Sequence, residues 1–394
     1  MDVSIAFLSN YLNHHQIPFS EAMNNIEGIK YYFIQTEQME KERINMGWSD
    51  DFCPSYLIKY YENAEFAKKV IAKCDILIAG GVPLKLLEER RERKKLTFVY
   101  TERIYKRGQW RALSPRGFYY MNLAHRNAIK NNTYLLCASA YTPCDMAIYN
   151  LYKNRMFKWG YFPAINKYSI EDTMLKKNGK IKILWCGRFV KWKHPEMIIM
   201  LANKLKKAGY AGKVEILMIG IGKLREKYEK KIRQDNLDDI LCIEGPYSPA
   251  QVREKMLEAN IFVATSDYNE GWGAVINEAM TSGCAVVASH AMGSVPYLIH
   301  HKYNGLVFKS GSLSLLYKCI VELVIDSKQR ELYGKRAYNT IKNVWNAEVA
   351  AKNFVVLTNS IVNSDGYCKI KEGPCSKADI IQEWKMYERC VKTD

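Results

Sequence analysis

Along the chain, short β-branched and aromatic runs alternate with longer stretches whose apolar residues recur at helical spacing, and the alternation restarts once near the middle. In the first half, Val3–Leu8, Lys30–Gln35, Ile76–Ala79, Leu96–Thr101 and Tyr134–Ala138 predict strands, with helical patterns over Ser20–Asn25 and Pro54–Lys73. Around residues 158–180 the periodicity stops among Pro, Gly and charged residues, which predicts a linker. The series resumes with strands at Ile181–Cys186, Val214–Ile219, Ile240–Glu244, Ile261–Ala264, Ala285–Ala288 and Leu306–Phe308. Between them, helices are predicted near Pro195–Ala208, Pro249–Ala259 and Ala274–Ser282. From Ser327 to Ile361 the pattern is helical with an interruption near Trp345, and Ser376–Thr393 predicts one more amphipathic helix after the Gly373-Pro374 break. Strands alternating with helices are the pattern of parallel α/β sheets. The expectation is therefore an α/β chain of two Rossmann-like, doubly wound domains. The first covers 1–165, a linker 166–180, the second 181–362, and a tail 363–394 carries a helix that packs back on the first domain. Two such sheets facing one another would line a central cleft with strand carboxyl ends, where open α/β sheets bind ligands.

Composition changes this picture in two places. With 394 residues, 48% of them hydrophobic and 25% charged, each domain has enough apolar material for its own core. No apolar run approaches the roughly 18 residues of a membrane span. The start, MDVSIAFLSN, runs straight into a strand without a basic leader. The 11 cysteines are scattered, with no CxxC, so they read as unpaired thiols of a reducing cytoplasm rather than metal ligands. The expected location is cytoplasmic, at or near the inner face of the membrane. The formal charge of +17 points to acidic partners. Nucleic acid is disfavoured, because the basic residues are spread out and none of the usual motifs occurs. A phosphorylated small molecule and an anionic membrane surface fit better. The densest runs are Glu88–Lys95 and Lys106–Arg116; ordinary solvated helix and loop faces would look the same.

The most informative passage is Ser266–Ser289, SDYNEGWGAVINEAMTSGCAVVAS, which leaves a strand, turns through Glu270-Gly271-Trp272-Gly273 and enters a helix. Gly271 and Gly273 let the backbone come close to a ligand, and the amides at the helix start favour anions. Glu270 and Glu278 supply two acceptor-only carboxylates beside those amides. A nucleotide sugar, with hydroxyls at both ends and phosphates in the middle, is one ligand of that shape. An ordinary Gly-rich turn carrying two surface glutamates has the same sequence.

EGWGAVINE resembles the E-x7-E signature of the retaining GT-B glycosyltransferases of family GT4, and further matches follow in order. Gly187-Arg188-Phe189 with Lys193 is similar to that family's segment after the first strand of its nucleotide domain. Gly220-Ile221-Gly222 resembles its Gly-rich turn, Ala279–Gly283 its stretch after the second glutamate, and Asn304-Gly305-Leu306-Val307 its late strand. The likeness covers residues 181–350 well and the first half by architecture only. It implies that Arg188 and Lys193 bind a diphosphate, after Gly187 and beside the Gly220 turn, in bidentate and point-charge fashion. Glu278 would accept hydrogen bonds from the ribose. Glu270, with the amides of Gly271, Trp272, Gly273 and Ala274, would hold the transferred sugar. The loop Glu244–Tyr247, including Pro246 and Tyr247, would line the base. Two departures stand out: Gly293-Ser294 replaces a common Gly-Gly, and Glu102-Arg103 stands where related enzymes commonly place a histidine. In the first half, His14 and His15 after the first strand, with Glu102 and Arg103, are candidates for the cleft or the acceptor.

The resemblance implies a hexosyltransferase-type enzyme. It would move a sugar from a UDP- or GDP-sugar to a glycan or lipid-linked acceptor, with retention, in surface polysaccharide synthesis. No Asp-x-Asp occurs, so no metal or other cofactor is expected, and protein cations would stabilise the leaving diphosphate. A nucleotide-sugar epimerase and a non-catalytic nucleotide-sugar binder of the same architecture are the alternatives.

Overall fold

The computed structural model describes residues 3–39, 52–126, 130, 132–165, 170, 179–363 and 370–392. The chain divides into two units, Met1–Ala164 with Val344–Glu383, and Ile165–Asn343 with Trp384–Asp394.

The first unit holds a seven-stranded parallel sheet: β1 Val3–Ser9, β2 Ile29–Gln35, β3 Leu57–Lys59, β4 Ile76–Ala79, β5 Leu96–Thr101, β6 Thr133–Cys137 and β7 Met156–Lys158. Its order is β3-β2-β1-β4-β5-β6-β7, so the strand order reverses between β1 and β4. The helix Ile17–Asn24 crosses over between the parallel neighbours β1 and β2, and Ala64–Lys73 carries the chain from the edge strand β3 across to β4. Residues 76–79 are all buried, as both-face coverage of a parallel sheet requires.

The second unit repeats the plan with six strands: β8 Ile181–Cys186, β9 Val214–Ile219, β10 Leu241–Glu244, β11 Ile261–Ala264, β12 Ala285–Ser289 and β13 Leu306–Phe308. The order is β10-β9-β8-β11-β12-β13, all parallel. Its core gathers Trp185, Phe189, Ile198, Leu201 and Leu316 around the sheet.

Three expectations need correction. The helix predicted over Pro54–Lys73 is a three-residue edge strand, β3, followed by the helix Ala64–Lys73. Residues 344–362, expected in the second domain, belong to the first unit. The helix Ala347–Val362 puts Phe354 edge-on to Phe98 (ring centroids 4.9 Å) and Trp159 (6.0 Å), which buries its apolar face there. The tail helix is confined to Met386–Val391 and lies in the second unit rather than the first. Residues 375–378 instead run along the edge of β7, with Lys158 N–H donating to the Ser376 carbonyl (2.8 Å) and Ala378 N–H to that of Met156 (3.0 Å).

The basic run Glu88–Lys95 is also not one solvated face. Arg90 is buried, and its guanidinium donates to Thr97 Oγ1 (2.9 Å) and to the carbonyls of Ile71 (3.0 Å), Cys74 (2.7 Å) and Leu96 (2.5 Å). A buried charge persists only when its donors are occupied in this way.

Candidate functional site

At the carboxyl edge of the six-stranded sheet, the turns after β8 and β9 are zipped together. Gly187 N–H donates to the Ile219 carbonyl (3.0 Å), and Phe189 N–H to that of Ile221 (2.7 Å). The closeness demands glycine at 220: φ there is +148°, and a Cβ would lie 2.0 Å from the Gly187 carbonyl oxygen. Arg225 then pins this turn to the next, donating to the carbonyls of Gly220 (3.0 Å) and Gly245 (2.7 Å) while Glu229 holds its Nε (2.7 Å). In the loop after β10, Tyr247 donates its hydroxyl to Glu244 (2.7 Å), which fixes a half-buried ring beside the exposed Pro246.

The passage after β11 is tied to the turn after β8. Thr265 Oγ1 accepts from the Trp185 indole (2.9 Å) and donates to the Lys193 carbonyl (2.5 Å); Asp267 N–H donates to the Trp192 carbonyl (2.9 Å). His194 joins Asp267 Oδ2 (3.3 Å) to Glu196 Oε1 (2.6 Å). Those two carboxylates, Asp267 first, raise its pKa to about 9, so the imidazole is a cation at neutral pH with both ring nitrogens donating. This lacing brings Lys193 onto Glu270, and the two form an ion pair with side chains only 14% and 16% exposed.

Glu278 lies on the helix Val275–Thr281, half-buried. Burial pushes its carboxyl up to about 7, with Arg253 acting in the opposite sense. At the tip of β8, burial lifts the Cys186 thiol to about 12, Glu278 adds to that rise and Lys193 opposes it. Lys193 and Glu270 pair at the turn after β8, and Glu278 follows on the helix that the Glu270 loop enters. Arg188, exposed, lies over the Trp192 ring (5.4 Å) at the same turn. Trp272 differs: its ring is fully buried and its indole donates to Asn277 Oδ1 (2.9 Å). From residues 271–274, Trp272 thus offers a ligand main chain only. Ser294 is buried beneath this loop, its N–H on the Trp272 carbonyl (3.1 Å).

In the first unit, the candidates separate. His14 and His15 are half-buried with rings 3.8 Å apart, and the His15 ring lies parallel to that of Tyr161 (6.1 Å, 14°). Glu102 accepts from the Tyr161 hydroxyl (2.9 Å) and from Lys106 (2.7 Å). Arg103 does not face a ligand. It is 2% exposed, paired with Glu383 (2.7 Å) and Asp145 (3.5 Å), and its guanidinium lies over Tyr141 (4.8 Å). It braces β5 against the helix Thr142–Ala147 and the tail.

Sequence reasoning missed Arg225, His194 and Asp267. Arg225 and Asp267 hold main chain in place and His194 bridges two carboxylates, and a lone cation or carboxylate among polar residues gives no periodic signal.

Residues 168–340 match the family described as Glycosyl transferases group 1. An uncharacterized glycosyltransferase of Methanocaldococcus jannaschii is 28% identical over 195 residues, 49% of this chain and 49% of that protein. The chain thus spans about half the length of that curated relative. Among solved structures, HepE of Anabaena in complex with UDP has a TM-score of 0.64 at 17% identity, over 92% of this chain and 100% of that one. A glycosyltransferase from Rickettsia africae has a TM-score of 0.65 at 14% identity, over 92% of this chain and 99% of that one. At such identities the likeness shows the fold: two Rossmann-like α/β domains of the GT-B class.

Proposed function

We propose that the chain is a glycosyltransferase that moves a sugar from a nucleoside-diphosphate sugar to a hydroxyl of a glycan or lipid-linked acceptor. The observation that carries this reading is the Lys193–Glu270 ion pair. It stands beside the glycine turns, with Glu278 on the helix that follows, inside the segment that matches Glycosyl transferases group 1. Lys193 and Arg188 take the diphosphate, and a bound diphosphate shares Lys193 with Glu270. That arrangement stabilises charge as it develops on the leaving group, where fixed cations act most strongly. Glu278 accepts from the ribose hydroxyls, the main chain of 271–274 with Glu270 orients the sugar, and the Tyr247 ring borders the base.

UDP is the favoured nucleotide, because the structure of HepE was solved with it. The reading includes retention of anomeric configuration and no metal. The test is a thermal-shift screen with UDP, GDP, ADP and CMP in EDTA, followed by NMR of the product's anomeric proton with the matching sugar nucleotides. Stabilisation by one diphosphate without metal and a retained anomer support it. An epimerised donor sugar, or binding with neither transfer nor donor hydrolysis, replaces it with the epimerase or the binder.

A further inference from the structure

Between β5 and β6 the chain makes a short turn, Gln109–Leu113, then the helix Pro115–Met121 and a wider turn, Asn122–Arg126. One side of this excursion is anchored: Ala112 and Met121 are buried in a cluster with Tyr105 and Tyr149. The other side is apolar and faces out. Trp110 is 70% exposed, Leu113 86% and Tyr119 70%, and Phe118 and Leu123 are exposed with them. Among the described residues, five of the 19 exposed large hydrophobic side chains fall within residues 110–123. Scattered exposed apolar residues are normal, whereas a contiguous set marks an interaction surface.

The same stretch is one-signed. From residue 103 to 144 there are seven Lys and Arg and no Asp or Glu. Arg107, Arg111 and Arg116 are exposed, and among the described residues none of them is ion-paired. Arg111 lies 5.6 Å from the Trp110 ring centre.

We infer that this surface docks on an anionic lipid bilayer, with Trp110, Leu113 and Tyr119 entering the headgroup layer and the three arginines meeting acidic headgroups. Trp and Tyr favour that layer because their rings are apolar at one end and polar at the other. Aliphatic Leu113, the most exposed of the set, gains nothing against a phosphate backbone but gains by leaving water for acyl chains. Among the described residues no helix is long and apolar enough to cross a membrane, so the contact lies in the interface plane. This inference is independent of the sugar-transfer reading and fails independently of it.

The test is co-sedimentation of the full chain with vesicles of phosphatidylcholine alone, or with about a third phosphatidylglycerol. Wild type should partition onto the acidic vesicles and release as salt rises. Arg107→Gln, Arg111→Gln and Arg116→Gln together should cut partitioning by about a hundredfold. Trp110→Ser with Leu113→Ser should cut it at least tenfold, with an unchanged melting temperature because both side chains are exposed. Equal binding to neutral vesicles, no binding at low salt, or binding insensitive to both variants would overturn the inference. So would self-association in light scattering that the Trp110→Ser/Leu113→Ser variant abolishes, since that assigns the surface to a second copy.

Discussion

The two sheets share a strand order up to the seventh strand yet carry different chemistry at their carboxyl edges. In the second unit the edge is built of glycine turns, an ion pair and a carboxylate whose pKa burial has raised, all held by main-chain ties. In the first unit the edge is aromatic and hydroxylic. Gly80 lets the Tyr100 ring lie where a Cβ would be 1.9 Å away, and Glu102 is engaged by Tyr161 and Lys106. A shared fold therefore does not give a shared role. The second edge sets a cation and carboxylates among glycine turns, whereas the first sets rings and hydroxyls around Glu102.

The contrast breaks most readily at the second edge. Lys193→Ala should lower donor turnover by about a hundredfold or more, as the loss of one fixed charge on a leaving group does. Glu278→Gln should weaken nucleoside-diphosphate binding tenfold to a hundredfold, from roughly 1.5–3 kcal/mol per charged hydrogen bond. Glu270→Gln should instead lower turnover more than affinity. Glu102→Gln should leave nucleotide affinity within about threefold; if calorimetry and turnover assays find it equal to Lys193→Ala, the division of labour is wrong.

Glycines sharpen the same comparison through stability. Gly220→Ala should lower the melting temperature steeply, costing about 3 kcal/mol or more, because the new Cβ meets main chain. Gly28→Ala in the first unit, with φ +78° and open space around it, should cost only about 1 kcal/mol. Similar losses in calorimetric melts would mean that the two turns after β8 and β9 do not depend on their close approach.

Two pH effects follow, smaller again. Glu278 has its pKa raised to about 7, so it is protonated below that and ionised above it. If the ionised form is the one that holds ribose, affinity should be about tenfold weaker at pH 6 than at pH 8. Glu278→Gln, which keeps any titration of the phosphates, should remove that difference. His194 has its pKa raised to about 9, so its contribution to stability is complete below its unfolded value of 6.5 and is lost as pH rises through 9. After allowance for solvent screening, about 1 kcal/mol should disappear between pH 7 and 10, or about 2–4 °C in melting temperature. A His194→Gln chain with the same pH profile would remove His194 from the account.

Much of this was legible in the sequence. Strands 76–79, 96–101, 181–186, 214–219, 261–264 and 306–308 lie where their apolar runs end, because buried parallel strands must be continuous. Edge strands were not legible: Leu57–Lys59 and Met156–Lys158 are three residues each, with too few positions for a period. The helix predicted from Ser376 failed because residues 375–378 pair with β7, a partner more than 200 residues earlier. At the site, the glycine turn between a strand and a helix is what singles out Glu270 and Glu278 as candidates in the sequence. The burial of Arg103 was hidden for the opposite reason, since its partner Glu383 is 280 residues away.

The most direct test is calorimetric titration of UDP into the EDTA-treated chain, with Lys193→Ala beside wild type. The account predicts metal-free binding by wild type and a loss of tenfold or more in the variant. Binding that requires Mn²⁺, or equal affinity for both chains, would contradict it.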